Sequence, residues 1–273
     1  MPELPEVETV VRGLRKVILA KTISKVSCLS PKINQDNYSG WLDDIKGTRI
    51  KYIGRRGKNI LINLSNNNTL WVHLRMTGHF FYLPKKSSIE KHDLVLFNLK
   101  NDKNNLRFND YRRFGRVRLF PTAKVLLQKG LIDLGQEPLK ISIPDFIALF
   151  KKSSRMTKPA LLDQTFIAGL GNIYADESLY ATRINPKKQT NRISIKKLIE
   201  LHSVIQKMLK KSISLMGTTV DSFSGVNGNT GQFQKYLLAY GRDGEKCSRC
   251  GSKIKREKIG SRSAHFCPRC QRL

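Results

Sequence analysis

The sequence predicts an α+β protein, in which an N-terminal helix and an antiparallel β-sandwich precede a helical second half and a small zinc-binding module. Three observations carry this reading. Apolar residues recur with a period of two from about residue 22 to 120, and the spacing turns helical beyond about residue 144. Four cysteines then close the chain as two Cys-x2-Cys pairs. With 273 residues the chain is long enough for two domains, which commonly hold about 100 to 150 residues each.

The first element is a helix over residues 6–18. Val7, Val10, Val11, Leu14, Val17 and Ile18 share one face and leave Arg12, Arg15 and Lys16 outside. Ahead of it stands Met1-Pro2-Glu3-Leu4-Pro5-Glu6. Removal of Met1, which a small following residue generally permits, leaves Pro2 as a free secondary amine. An α-amino group titrates near ~8, against ~10.4 for lysine, so a usable fraction is neutral and nucleophilic at cellular pH. Attack of such an amine on an aldehyde-like carbon gives a cationic iminium directly. Glu3 is adjacent and suited to giving or taking a proton at the same centre. A plainer reading is also open: the two prolines stiffen the start of the helix, and Glu3 and Glu6 favour its N-terminus.

Seven strands are expected next, at residues 22–27, 48–53, 59–64, 69–76, 93–99, 105–109 and 116–120, with asparagine-rich turns between them. Short strands with tight connections suggest a sandwich. Gly57-Lys58 falls in a turn, where the ammonium of Lys58 suits a phosphate or a proton transfer; by itself Lys58 reads as a solvated surface charge. Met76 precedes a glycine turn, and Arg112-Arg113-Phe114-Gly115 sets guanidinium groups beside an aromatic ring. An enzyme that takes a base out of a duplex fills the gap with such wedges. Singly, Met76 and Phe114 read as core residues at strand ends.

A linker rich in Gly and Pro is expected at 121–143. Beyond it Pro159 opens a helix over 160–167 that ends at Gly169, and Gly169-Leu170-Gly171-Asn172 turns the chain into a second helix at 174–181. Backbone N–H groups at that helix start, with Asn172 beside them, make an anion site, although most such turns only join helices. Ser194 caps a long helix over 195–215. Residues 216–233 interleave glycines with Ser, Thr and Asn, a composition that suits a functional loop over an extruded base or a plain linker. Cys247, Cys250, Cys267 and Cys270, with 16 residues between the pairs, have the spacing of a closed, structural zinc site. Cys28 is left over as a small buried apolar residue. A hairpin over 253–259 and 263–266 is expected between the pairs, with Arg262 in its turn.

Fifty lysines and arginines face 21 aspartates and glutamates, a formal net charge of +29. Such an excess costs self-repulsion, so a polyanionic partner is expected, nucleic acid first and an anionic membrane second. No apolar run approaches the ~18 to 20 residues of a membrane span, and the acidic start is wrong for a signal peptide. A soluble intracellular protein is expected.

Taken together and in order, these segments resemble the formamidopyrimidine-DNA glycosylases. The resemblance runs through Pro2-Glu3-Leu4-Pro5-Glu6-Val7-Glu8, Arg56-Gly57-Lys58, His73-Leu74-Arg75-Met76, Lys91-His92-Asp93, Asp110-Tyr111-Arg112-Arg113-Phe114-Gly115, Ala168-Gly169-Leu170-Gly171-Asn172-Ile173-Tyr174 and the terminal cysteines with Arg262. It implies a monomeric bifunctional repair enzyme acting on double-stranded DNA, which releases oxidised purines such as 8-oxoguanine and formamidopyrimidines and nicks the strand by β,δ-elimination. By the same resemblance Pro2 is the nucleophile on C1′, Glu3 the acid, Lys58 a participant in β-elimination, and Arg262 the phosphate grip in δ-elimination. Met76, Arg112 and Phe114 match the trio that fills the void; His92, Lys158 and Asn172 match phosphate contacts.

The implied architecture is a catalytic sandwich at 1–120, a linker at 121–143, a helix–two-turn–helix DNA-binding domain at 144–240 carrying a lesion loop at 216–233, and a zinc finger at 241–273. DNA would lie in the cleft between the domains, and one structural zinc ion is implied. A cytoplasmic, nucleoid-associated place follows. Asp221-Ser222 stands where the family often has Arg-Asp, so the loop's lesion contacts do not carry over. Thr77, Leu94 and Ala264 also depart from common choices. Two alternatives are kept: an endonuclease VIII-type enzyme for oxidised pyrimidines, against which Leu4 and Arg112-Arg113-Phe114 argue, and a non-catalytic zinc-containing nucleic-acid-binding protein.

Overall fold

The computed structural model describes all residues except 35–38, 220–224, 227 and 229. The departure at Asp221-Ser222 therefore lies outside the described residues. Two compact units emerge, Met1–Ile132 with Leu215–Gln232, and Asp133–Ser214 with Phe233–Leu273.

In the first unit α1 (Leu4–Ile18) starts two residues before the periodicity suggests, because Pro5 fits a first turn and Glu3 and Glu6 sit at capping-box spacing. Eight strands follow among the described residues: β1 (Ile23–Cys28), β2 (Ile50–Arg56), β3 (Asn59–Leu64), β4 (Asn68–His73), β5 (Gly78–Pro84), β6 (Asp93–Leu99), β7 (Asn104–Asp110) and β8 (Arg116–Pro121). They form two four-stranded sheets, ordered β1-β6-β7-β5 and β2-β3-β4-β8, with antiparallel pairing throughout. Strand β5 is additional to the seven expected. Strand β4 stops at His73 rather than Met76, since residues 74–77 turn the chain from one sheet into the other.

Short helices α2 (Trp41–Ile45) and α3 (Thr122–Val125) complete the unit. Val7, Val10, Val11, Leu14 and Ile18 of α1 share one core with Ile53, Ile60 and Val72 of one sheet and Phe80, Val95 and Phe108 of the other. Each such fully buried side chain contributes about 1.5–3 kcal/mol, so the N-terminal helix is held firmly to the sandwich. Cys28 is half-buried at the margin of this core rather than within it.

The described part of 215–232 belongs with the sandwich rather than with the helices. Val226 joins the sandwich core, and the N–H of Thr218 donates to Glu6 Oε1 at 2.8 Å.

The second unit holds α4 (Ile143–Lys151), α5 (Thr157–Leu162), α6 (Asn172–Thr182), α7 (Ile195–Ser214) and the hairpin β9 (Lys255–Ile259)–β10 (Arg262–Phe266). Helix α5 is shorter than the spacing suggests. Asp163 Oδ1 accepts from both the N–H and the hydroxyl of Thr165 at 2.8 Å, a local turn that competes with continuation of the helix. Arg262 is the first residue of β10, paired with Ile259 across the turn Gly260-Ser261, and not a turn residue. Among the described residues no helix is long and apolar enough to cross a membrane.

Candidate active site

Pro2 is buried beneath an exposed Met1, and Glu3 and Glu6 are only 3% and 2% exposed. Glu6 Oε2 accepts the backbone N–H of Glu3 at 2.8 Å, while its other oxygen takes the Thr218 N–H. One buried carboxylate thus ties the backbone beside Pro2 to the foot of the 215–232 segment. Sequence reasoning treated Glu6 only as a helix starter; the three-residue spacing from Glu3 was the available clue.

Lys58, in the turn between β2 and β3, is 5% exposed, so the reading of it as a solvated surface charge does not hold. The turn around it is held tight: Arg55 Nη1 donates to Gly57 O at 2.8 Å and Asn59 Nδ2 to Arg56 O at 3.0 Å. His73 pairs with Asn59 across β3 and β4. Burial, with Arg75, Lys58 and Arg118 nearby, pushes the His73 imidazole down from 6.5 to about 3, so the ring stays neutral. Its Nδ1 accepts the Arg75 N–H at 2.9 Å, which leaves the proton on Nε2. The unfolded chain takes up a proton here below pH 6.5 and the fold does not, so stability is expected to fall as pH drops from 6.5 toward about 3. His73→Gln should flatten that slope in urea titrations across pH; an unchanged slope would rule His73 out as its source.

Met76, Arg112 and Phe114 meet. Arg112 Nη1 lies 3.2 Å from the Met76 sulfur and its guanidinium 4.9 Å from the Phe114 ring centre. Met76 is 42% and Phe114 49% exposed, so neither is a core residue. Arg75 and Arg113, beside the trio, adopt left-handed φ values of 53° and 56°. Such conformations cost a non-glycine residue about 1–3 kcal/mol and cluster at functional sites.

Asp110 pays for this strain with hydrogen bonds. Fully buried, it accepts from the N–H groups of Arg112 at 3.1 Å and Gly115 at 2.7 Å, and from the Thr77 hydroxyl. Thr77 thereby links the Met76 turn to the Arg112 turn. A Cβ on Gly115 would lie 2.7 Å from the Phe108 ring, so the turn needs glycine.

His92 precedes β6, half-buried, its Nδ1 without a hydrogen-bond partner and its ring edge-on to Tyr111. The loop before it is fastened by Arg107, a fully buried guanidinium. Arg107 donates to Asp93 Oδ2 at 3.1 Å and to the carbonyls of Ser87 at 2.9 Å and Ser88 at 2.5 Å. Asp93 also accepts from Glu90 N and Asn109 Nδ2. Leu94 lies in the sandwich core.

In the second unit Asn172 opens α6 behind Gly171, with its buried Oδ1 unpartnered. Lys158 is fully buried, with its Nζ 2.5 Å from Asp176 Oδ1. Arg262 is exposed at the head of β10, and Ala264 packs with Ile259 and Phe266. The sulfurs of Cys247, Cys250, Cys267 and Cys270 all lie within 4.8 Å of one another, with Cys250–Cys267 at 3.5 Å and Cys247–Cys270 at 4.0 Å. A tetrahedron of thiolates around zinc has S···S edges of about 3.8 Å. Burial and the neighbouring thiols push Cys270 up to about 12, a crowding that a shared dication relieves. The donor set fits one structural Zn2+ with no open position.

Residues 1–117 match the family described as the formamidopyrimidine-DNA glycosylase N-terminal domain, 134–224 its H2TH domain, and 244–273 the zinc finger found in FPG and IleRS. The formamidopyrimidine-DNA glycosylase of Pelotomaculum thermopropionicum is 44% identical with 100% of both chains covered, and that of Lactiplantibacillus plantarum 42% identical with the same coverage. The structure is similar to a Lactococcus lactis FPG point mutant in complex with Fapy-dG-containing DNA, at TM-score 0.93 and 36% identity over 100% of both chains. It is equally similar to the Lactococcus lactis Fpg complex with abasic-site DNA, at TM-score 0.93 and 37% identity over 99% of this chain and 100% of that one. Matched from the N-terminal domain to the zinc finger, with relatives above 40% identity along the whole length, the chain belongs to the formamidopyrimidine-DNA glycosylase family.

Proposed function

We propose that Pro2, Glu3, Lys58 and Arg262 carry the chemistry of this glycosylase and AP lyase, which excises oxidised purines from duplex DNA. The observation that carries the reading is the exposed contact of Arg112 with both Met76 and Phe114. A guanidinium flanked by a flexible apolar side chain and a ring is suited to filling the space of an extruded base, with Arg112 facing the base left behind. Once Met1 is removed, the Pro2 amine attacks C1′ and displaces the damaged base, with Glu3 supplying the proton that opens the sugar. The resulting iminium acidifies the C2′ protons. Loss of one, with Lys58 participating, breaks the bond to the 3′ phosphate; the extended unsaturation then acidifies the C4′ proton, and its loss expels the 5′ phosphate while Arg262 grips it. Hydrolysis of the iminium frees Pro2.

His92 is assigned to a phosphate through an Nδ1 that no described residue satisfies, and Asn172 through its place at the start of α6, where its amide NH2 can donate. The structural zinc holds the finger and takes no part in the reaction. We place the protein in the cytoplasm at the nucleoid, as a monomer.

The test is borohydride trapping on a duplex with one 8-oxoguanine opposite cytosine, beside an oxidised-pyrimidine duplex, with the adduct mapped by mass spectrometry. A cross-link at Pro2 on the first duplex is expected. A preference for the second would move the specificity to pyrimidines, and DNA binding with no adduct on either would remove the chemistry.

A further inference from the structure

We propose that Lys158 and Asp176 form a buried strut that aims Arg262, acting as positioning residues for the second elimination; the inference rests on the role assigned above to Arg262. Lys158 stands on α5 and Asp176 on α6, with side chains 0% and 1% exposed. The Lys158 ammonium donates to Asp176 Oδ1 and also to the carbonyl of Ser263, the residue next to Arg262. Asp176 Oδ2 accepts the backbone N–H of His265 at 3.0 Å and lies 3.0 Å from its Nδ1. The pair therefore grips β10 at residues 263 and 265, immediately beyond the strand's exposed first residue.

Cohesion alone does not account for this arrangement. Burying two charges costs several kcal/mol of hydration per ion, and apolar residues of similar volume often hold two helices together as well or better. What charged groups add is direction, because each bond ends on a named backbone atom of one strand. Two other neighbours at the hairpin are weaker guides. Pro159 Cγ would lie 3.6 Å from a Cβ built on Gly260, no more than ordinary van der Waals contact, and the Lys187–Glu257 pair is 40% and 42% exposed. Exposed pairs of that kind contribute little. A lysine enclosed by a carboxylate and a carbonyl acts on DNA through the strand it holds, so Lys158 serves the phosphate indirectly, by way of Arg262.

The experiment uses full-length, zinc-loaded enzyme with Met1 removed and a labelled abasic-site duplex. It reads the ratio of δ- to β-elimination ends at equal abasic-site turnover. That ratio is internal to each active molecule, so a partly unfolded preparation does not move it. Asp176→Asn is expected to lower the ratio at least about tenfold, against the roughly hundredfold that a misplacement of about 1 Å can cost. Its yield of the Pro2 borohydride adduct per active site should stay at the parent level. Lys158→Met/Asp176→Leu, which removes both charges at similar volume, should lower the ratio equally.

Lys158→Met should also leave the salt dependence of DNA binding unchanged, whereas loss of a direct phosphate contact reduces the slope by about 0.9. An unchanged ratio in both Asp176 variants, or a reduced salt slope for Lys158→Met, would overturn the strut. Arg262→Ala separates the two readings. If it lowers the ratio and the Asp176 variants do not, the strut alone fails. If Arg262→Ala leaves the ratio intact, the role of Arg262 fails and the strut falls with it.

Discussion

Exchange of Pro2 for glycine is expected to slow strand nicking by about a hundredfold, close to 2.7 kcal/mol of transition-state stabilisation, while affinity for an uncleaved lesion duplex stays within about threefold. Both residues are small enough to let Met1 leave, so both variants present a free amine. The proline amine is secondary and gives a cationic iminium without a further proton; the glycine amine is primary and gives a neutral imine that must be protonated before C2′ is acidified. The pyrrolidine ring also fixes the direction of the amine just ahead of Glu3, whose N–H is held by Glu6 at 2.8 Å, whereas the glycine amine turns freely about its N–Cα bond. Single-turnover nicking and fluorescence anisotropy measure the two quantities. Parallel loss of nicking and binding would mean that Pro2 shapes the DNA surface and is not the nucleophile.

Arg107→Met is expected to cost about 3–5 kcal/mol of folding stability, the penalty for breaking a buried pair from one side. The change leaves the Asp93 carboxylate without its cation and removes the donor to the carbonyls of Ser87 and Ser88. Domains are commonly stable by only about 5–15 kcal/mol, so the variant should unfold at visibly lower urea with an unchanged m-value. Replacing both partners, Arg107→Met with Asp93→Leu, should recover part of the loss, because no lone charge then stays buried. A single variant within about 0.5 kcal/mol of the parent, the range of ordinary surface changes, would show that the loop before His92 is held by other means.

What was legible in the sequence divides along physical lines. Helix α1, the alternating strands and the cysteine pairs were readable because each is a local pattern with its own period or spacing. Strand β5 was missed although His79-Phe80-Phe81-Tyr82-Leu83 is rich in strand formers, because the aromatic run hides the alternation and the preceding turn was absorbed into β4. The meeting of Met76 with Arg112 and Phe114 was suggested by residue type and by the family resemblance, not by any local pattern; it depends on Asp110, whose bonds to both turns no spacing encodes. Asp176 and Glu177 look like an exposed acidic step on a helix. They are 1% and 3% exposed, because one receives β10 and the other accepts the N–H groups of Leu238, Ala239 and Tyr240. Buried charge is a property of tertiary partners, and α6 has no apolar stripe by which to announce it.

The feet of the 215–232 segment are pinched together. Gln232 N–H donates to Leu215 O at 2.9 Å and Gly231 N–H to the Thr219 hydroxyl at 2.8 Å, and a Cβ on Gly231 would come within 2.3 Å of Gly217 O. Both ends are anchored at one point, and that point is fastened to Glu6. Doubling the length of such a loop costs only about 0.6 kcal/mol in closure entropy. The chain between the feet can therefore lengthen while the Glu6 clasp beside Pro2 and Glu3 stays where it is.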